Sequence, residues 1–442
     1  MGQADVSEVY SIYGRATTSS SELSRIITQF DTTTIASDRT AGTIPASGKV
    51  NFYLRLYNAE TSKTVPRDFK LVVEAISRAW TEGDGLDLEN YKDLGVSNWI
   101  SASQGVAWTA AGGDYHTTPT FEQTFETGLE DLDLDITTLV EQWIAGSKTN
   151  YGVGVRLTSS VESATTSYYT KRFFARGTQY FFKKPVIEAR WNSSLQDDRG
   201  DFYMSSSLAP AADNLNTLYL YNYVRGQLTN IPAIGTGELY VDLYETLGGT
   251  TLTQVLQTPA TGGYVSPGVY SCSVGLTGTY STLRDVWYSG STEYFTGTVS
   301  PKSFGSAGAS TGNSRYVTNI KNLRAKYFSE EEARFNVYVR SKNWSPTIYT
   351  VASTEIENTI IPSASYRVYR VLDGLNAIPH GTGSDLQTIL SYDVSGNYFN
   401  LDMSLLEPGY EYGIKLAFYD SQRQSWIEQD QKFLFRVEDY EY

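Results

Sequence analysis

Carboxylates gather most densely between Thr81 and Asp93, where the stretch TEGDGLDLENYKD carries Glu82, Asp84, Asp87, Glu89 and Asp93. Several oxygen ligands on one glycine-containing loop are the donor set that a hard cation such as Ca²⁺ takes. The spacing does not follow an EF-hand, and acidic runs are commonly solvated faces. The plainer reading is an exposed acidic loop without a resident ion. A second row, Asp131, Asp133 and Asp135, falls on one face of an extended chain. Its members repel one another unless a basic strand lies opposite, and Lys171 and Arg172 are the candidates to supply it.

Other catalytic constellations are thin. There are two histidines, His116 and His380. His116 stands two residues after Asp114 and could act as a base beside it, but catalysis also needs a pocket and an oriented partner, so a loop histidine is the plainer reading. His380, within Ile378-Pro379-His380-Gly381, reads as a turn residue. The sequence holds no phosphate-binding Gly-Lys-Thr loop, no His-Glu-x-x-His and no serine in a nucleophile elbow. With 49 acidic residues a glycosidase pair can always be chosen, so their presence decides nothing. These absences predict a protein that is not an enzyme and carries no cofactor. Aromatic side chains are the remaining candidates. An exposed indole platform can stack on a sugar, which makes Trp99 and Trp108 the candidate glycan contacts; the alternative is that both staple a long loop while Trp80 and Trp143 are core.

The elements that must position these residues are strands. In Asp131 to Leu157, DLDLDITTLVEQWIAGSKTNYGVGVRL, Leu132, Leu134 and Ile136 alternate with the aspartates. The spacing then changes to a helical stripe of Leu139, Val140, Trp143 and Ile144, with Thr138 and Glu141 at capping-box spacing and Gly146 as a stop. The two-residue period resumes at Tyr151, Val153, Val155 and Leu157, and Gly152 and Gly154 between them imply something bulky packed over that strand. One short helix laid across strands closes the end of a sandwich, whose other strands come from Val50 to Tyr57, Leu71 to Ile76, Phe173-Phe174, Tyr180-Phe181-Phe182 and Val186-Ile187.

A resemblance attaches to this region. The order ITQFD (Ile27 to Asp31), KVNFYLRLYNAE (Lys49 to Glu60), AWTEGDG (Ala79 to Gly85) and LDITTLVEQWIAGSKTNYGVGVRL, followed by Lys171-Arg172-Phe173-Phe174 and Lys184-Pro185-Val186-Ile187, resembles the DNRLRE-type β-sandwich modules of cell-surface and virion proteins. Later stretches, ARFNVYVRSKNW (Ala333 to Trp344) and Leu390 to Asp420, are similar to C-terminal parts of structural proteins of tailed phages, marine ones in particular. The resemblance implies a virion subunit in the neck, tail or head decoration, assembled in the host cytoplasm, with other virion proteins and copies of itself as partners.

Composition points the same way. The chain's 442 residues suffice for several cores, and 34 Tyr, 18 Phe and 8 Trp among many Thr, Ser and Val favour strands. A net charge of −14 repels nucleic-acid backbones. One cysteine, Cys272, excludes an intrachain disulfide framework. The N-terminus lacks the pattern of an export signal and no run is long enough to span a membrane, which favours assembly over secretion or membrane insertion. The expected architecture is all-β: an N-terminal arm or first edge strand at 1–24, a jelly-roll-like sandwich with one short helix at 25–192, a polar linker at 192–200, an immunoglobulin-like sandwich at 201–305 and an immunoglobulin- or fibronectin-like one at 315–442, separated by a Gly/Ser/Ala-rich linker at 302–314. The function expected is a non-enzymatic virion structural protein. The alternatives are a carbohydrate-binding adhesin recognising a host surface glycan and, as a third reading, a glycan-degrading enzyme.

Overall fold

Alternation of apolar and polar side chains turns directly into layers. The strand Asn51–Leu56 buries Phe52, Leu54 and Leu56 while Asn51, Tyr53 and Arg55 stay half-buried on the other side. The structure, a computed structural model, describes residues 2–13, 21–61, 65–85, 95–164, 168–302, 315–342 and 358–440. It is all-β, with three short α-helices among the described residues. The chain divides into two compact units, residues 1–191 and 192–442.

Three antiparallel sheets share one core in the first unit. The strand Asn51–Leu56 lies between Val186–Arg190 and Leu132–Asp135. Phe69–Ile76 lies between Val153–Leu157 and Tyr115–Phe125, with Ile26–Thr28 at the edge beside Val153–Leu157. The third sheet places Val6–Tyr13 between Tyr168–Phe174 and Ser21–Ser24. Of the two readings of the N-terminal residues, the described part forms strands: Val9 is fully buried in the common core, and the strand around it pairs along its length with Tyr168–Phe174.

The helix Thr137–Ile144 buries Leu139, Val140 and Trp143 in that core, as its stripe predicts. Each such side chain contributes about 1.5–3 kcal/mol on burial. Its start differs from the expected capping box. Asp135 Oδ1 accepts from the Thr137 N–H at 2.9 Å and hydroxyl at 2.6 Å, and Glu141 is taken up by Arg39. The helix thus begins two residues earlier than a cap at Thr138 would place it, with Ile136 as an N-cap that makes no side-chain bond. Gly154 does meet something bulky: the Tyr115 ring lies where its Cβ would be.

In the second unit, six strands form one antiparallel sheet in the spatial order Asn216–Tyr221, Val269–Val274, Ala260–Ser266, Leu239–Tyr244, Leu283–Ser289, Thr292–Val299. Its buried face carries Leu218, Leu239, Val241, Leu243, Tyr270 and Trp287. Residues 316–438 pair a four-stranded sheet with a larger sheet that includes one parallel pair, Lys326–Phe328 with Phe433–Glu438. Aromatic contacts cross between these layers: Tyr366 stacks on Phe399 with ring centroids 4.1 Å apart, and Tyr327 meets Phe335 in a tilted contact at 5.4 Å.

The polar run 192–200 is no free linker. Asp198 accepts from the Tyr392 hydroxyl and from the Thr217 N–H, each at 2.7 Å, so it joins both β systems of this unit. Arg199 donates to Asp197, to the Tyr219 carbonyl and to Asp285, and Asp285 also accepts from Trp287 Nε1 at 2.8 Å. Its polar side chains are spent on internal partners instead of water. Of the second expected linker, everything after Lys302 lies outside the described residues.

Candidate functional site

The tryptophan-bearing loop leaves the sheet after Phe69–Ile76 and returns at Tyr115–Phe125. Backbone bonds pin it at both ends, from Ser77 N to Asp114 O and from Thr81 N to Ala102 O. A short hairpin, Ser101–Ser103 with Val106–Ala107, stands between them. Asn98 organises the approach: its Oδ1 accepts from the N–H groups of Ile100 and Ser101, both at 2.9 Å. Asp114 organises the exit, accepting from the Thr109 N–H and hydroxyl and the Ala110 N–H and pairing with Arg78 at 3.1 Å. Those donors hold its carboxyl below the ordinary carboxylate range against the opposing effect of burial.

The indoles divide into two kinds. Trp108 is 7% exposed, packs with Ile76 and Ala102, and donates Nε1 to the Asn98 carbonyl at 2.8 Å. With so little of the indole exposed, Trp108 staples the loop, the alternative that its sequence context also offers. Trp80 packs on the same cluster and donates to the Tyr151 carbonyl. Trp99 is half-buried, with the Arg25 guanidinium 5.1 Å from its ring centroid. Arg25 is in turn fixed by Glu162 at 2.6 Å and by the Gly112 carbonyl at 3.1 Å. At Gly112, with φ +91°, a Cβ would press on both Arg25 and Trp99.

Trp80, Trp99 and Trp108 all contribute to the wall of a groove of about 1250 Å³ that runs past Arg25, Ile26–Thr28 and Ser24. Its volume exceeds the roughly 300–1,000 Å³ of a small-molecule pocket. A second recess of about 670 Å³ is lined by Arg25, Arg78, Arg156, Glu74, Asp114 and Glu162. Its charges are matched within the fold: Arg156 meets Glu74 at 2.8 Å, Arg25 meets Glu162 and Arg78 meets Asp114.

The remaining sequence candidates fall apart spatially. Glu82 pairs with Arg176 at 3.1 Å, Asp84 lies on the groove wall, and Asp87 and Glu89 lie outside the described residues. Among the described residues no three His, Cys, Asp or Glu side chains converge as a metal site. Of the aspartate row, Asp131 feels the positive charge of Lys171, as expected, while Asp133 finds its counter-charges elsewhere. Asp133 pairs with Arg190 at 3.0 Å and Arg55 at 3.7 Å, Asp131 accepts from the Asn58 N–H, and Lys171 is sealed inside against Asn58, the Gly128 carbonyl and the Glu130 carbonyl. His116 is half-buried on Tyr115–Phe125, and Asp114 is spent on its own loop, so no dyad forms. Burial, with Lys148 adding to it, lowers the His116 pKa. Cys272 is buried and its thiol is pushed up to about 12, chiefly by desolvation, which leaves it inert as a nucleophile.

One constellation escapes sequence reasoning altogether. Ser365 Oγ lies 3.0 Å from His380 Nδ1, and His380 Nε2 lies 3.7 Å from Glu428. The order Ser-His-Glu is that of a hydrolase triad, but Ser365 is fully buried on the strand Ala364–Arg370 and shares its hydroxyl with Thr388 at 2.8 Å. Glu428 is engaged by Arg367 and Lys415. A sealed hydroxyl cannot reach a substrate carbonyl, so the trio serves packing.

Compared with protein-family models and with curated sequences, the chain finds no match. Among solved structures it is similar to the adhesin InvE of Yersinia pseudotuberculosis at 10% identity and TM-score 0.17, covering 50% of this chain and 54% of that one. The native E. coli alpha-2-macroglobulin gives 9% identity and TM-score 0.17, with 87% of this chain and 20% of that chain covered. A DUF4785 family protein of Legionella pneumophila gives 8% identity and TM-score 0.14, covering 97% and 90%. The chain thus spans about half of the InvE chain and a fifth of the macroglobulin, and likenesses this slight carry no functional argument. No helix among the described residues is long and apolar enough to cross a membrane.

Proposed function

We propose that this chain is a non-enzymatic structural protein that works through assembly contacts, and that its setting is the virion of a tailed phage, as a neck, tail or capsid-decorating subunit bound to other virion proteins and to copies of itself. The observation that carries the non-enzymatic part is the internal engagement of candidate catalytic groups: Asp114, Glu74 and Glu162 are each held by an arginine, and Ser365 is sealed. The assembly part rests on sheet edges. Ser21–Ser24 and Ile26–Thr28 are edge strands of two sheets and both border the 1250 Å³ groove, which offers backbone donors and acceptors beside apolar walls, as strand addition by a neighbouring chain requires. The phage setting rests on the sequence resemblance.

Particles purified from the source on a density gradient and analysed by peptide mass spectrometry should contain the chain at a constant ratio to the major capsid protein. A chain that stays in the soluble fraction while intact particles lack it contradicts the proposal. The adhesin reading keeps one specific support, Trp99 on the groove wall with its ring braced by Arg25. In that reading Trp99→Ala abolishes sugar retention.

A further inference from the structure

Two segments of the first unit that lie far apart in the sequence are held side by side where the strand Asn51–Leu56 ends. There the chain runs along Tyr168–Phe174: the Phe174 N–H donates to the Tyr57 carbonyl at 2.9 Å and the Ala59 N–H to the Arg172 carbonyl at 3.1 Å, with Asn58 opposite Phe173. Residues two apart on a strand share a face, so Lys171 lies on the side of Phe173 and is the diagonal neighbour of Asn58. The two side chains meet, with Lys171 Nζ 2.7 Å from Asn58 Oδ1. A C=O bond is about 1.2 Å long, so Asn58 Cγ is at most about 3.9 Å from Nζ, close to the reach of an attacking amine.

The surroundings are those in which a lysine becomes a nucleophile. Lys171 is 1% exposed, and the rings of Phe125 and Phe173 lie 5.0 and 5.1 Å from Nζ, which keeps water from the amine. Its three hydrogen-bond acceptors are Asn58 Oδ1, the Gly128 carbonyl at 2.9 Å and the Glu130 carbonyl at 2.7 Å, all of them neutral oxygens. Desolvation favours the uncharged amine and brings the Lys171 pKa down to about 8, against the raising effects of Glu130 first and Asp131 second. Glu130 also brings a carboxylate to this turn: its Oε1 accepts from the Thr127 N–H at 2.6 Å, while its Oε2 is buried and accepts no hydrogen bond. Asp131 Oδ1 accepts from the Asn58 N–H at 2.7 Å and fixes the backbone that carries the carboxamide.

We propose that Lys171 and Asn58 join in an intramolecular isopeptide bond, the Lys171 Nζ displacing ammonia from the Asn58 carboxamide with Glu130 as the proton acceptor. Nζ gives one proton to the Glu130 carboxylate and, as the free amine, attacks Asn58 Cγ to form the Cγ–Nζ bond. The tetrahedral centre then collapses: the Cγ–Nδ2 bond breaks, Nδ2 takes a second proton from Nζ, and ammonia leaves with the proton that Glu130 held. A lysine ammonium and a carboxamide have become a secondary amide and an ammonium ion, with nothing oxidised or reduced. Asn58 is half-buried, so the leaving group has solvent beside it. The single cysteine allows no intrachain disulfide, and the isopeptide takes that place: it closes a loop of 113 positions and ties the sheet of Asn51–Leu56 to that of Tyr168–Phe174. The bond is independent of virion assembly.

The test is the mass of the full chain, purified, unfolded and measured intact. It should lie about 17 Da below the mass of the sequence, the loss of one ammonia. Digestion with trypsin should then release the peptides around Asn58 and Lys171 as one joined species, uncut after Lys171. Asn58→Ala and Lys171→Met should each restore the full mass and abolish the joined species, and Glu130→Gln should leave most chains unjoined, with circular dichroism to check that the variants are folded. The wild-type mass and digest decide the matter even where a variant does not fold. A full-mass chain that trypsin cuts after Lys171 would overturn the proposal. So would an ammonia loss confined to the Asn58 peptide, which is what a succinimide gives. Glu130→Gln chains joined as completely as the wild type would overturn the assignment of the proton acceptor.

Discussion

Replacing Arg199 by methionine should destabilise the second unit far more than a surface substitution does. The guanidinium is 11% exposed and faces two carboxylates, Asp197 at 2% and Asp285 fully buried. Burial already pushes the Asp197 carboxyl up to about 6 against the lowering effect of Arg199. Without the arginine, Asp285 keeps only its Trp287 donor, and the Tyr219 carbonyl loses its partner. Removing one member of a buried pair costs about 3–5 kcal/mol, because the charge left behind is neither solvated nor compensated. With a urea m-value of about 2–3 kcal/mol/M, that lowers the unfolding midpoint by roughly 1–2 M. The assay is urea denaturation, with hydrogen exchange on peptides from Leu283–Ser289 and Asn216–Tyr221 to locate the loss. Adding Asp285→Asn should recover at least half of the deficit, since the amide oxygen can still accept from Trp287 while the stranded charge is gone. A cost below about 1 kcal/mol, the range of an exposed pair, or an unchanged deficit in the double variant would refute the reasoning.

Three further outcomes are expected. Glu130 is held down to about 2 by the donors of its own turn against the opposing effect of burial, with the Thr127 N–H at 2.6 Å; its folded pKa lies below its unfolded value of 4.5, so its stabilisation is present above pH 4.5 and is lost as pH falls toward 2, and Glu130→Gln should remove that part of the acid transition followed by circular dichroism. Gly154→Ala should cost about 1–3 kcal/mol in urea denaturation, because the methyl overlaps the Tyr115 ring, and Tyr115→Ala in the same chain should absorb part of that cost. Trp108→Ala should lower stability by about 3–5 kcal/mol by calorimetry, as loss of a buried indole does, and leave any saccharide affinity of the folded protein unchanged.

What the sequence disclosed and what it concealed differ by the distance over which the deciding contact acts. Strands such as Asn51–Leu56, Leu239–Tyr244 and Glu411–Asp420 are legible because the two-residue period is local and each buried face is written out in successive apolar residues. The stripe of Thr137–Ile144 is legible for the same reason, but its first residue is not, since the capping position falls on Ile136, which has no polar side chain to mark it. Counter-charges were concealed: Arg190 meets Asp133 across 57 positions and Arg199 meets Asp285 across 86, and no pattern in either stretch marks the partner. For the same reason 192–200, polar enough to read as a linker, becomes an internal staple. Trp99 and Trp108 look alike as residue types nine positions apart and both border the groove, yet one stays half-buried beside Arg25 and the other is nearly covered and donates to the Asn98 carbonyl. The pairing of Tyr240 with Tyr288 was likewise invisible before the register of the two strands was known.

The account's central claim is assembly without catalysis, and electron cryo-microscopy of the particle fraction tests it most directly. The account predicts ordered, symmetry-related density on a virion into which both β units of the chain fit, with a neighbouring subunit against Ser21–Ser24 or Ile26–Thr28. Particles resolved throughout the neck, tail and capsid with no density that the chain fits would contradict it.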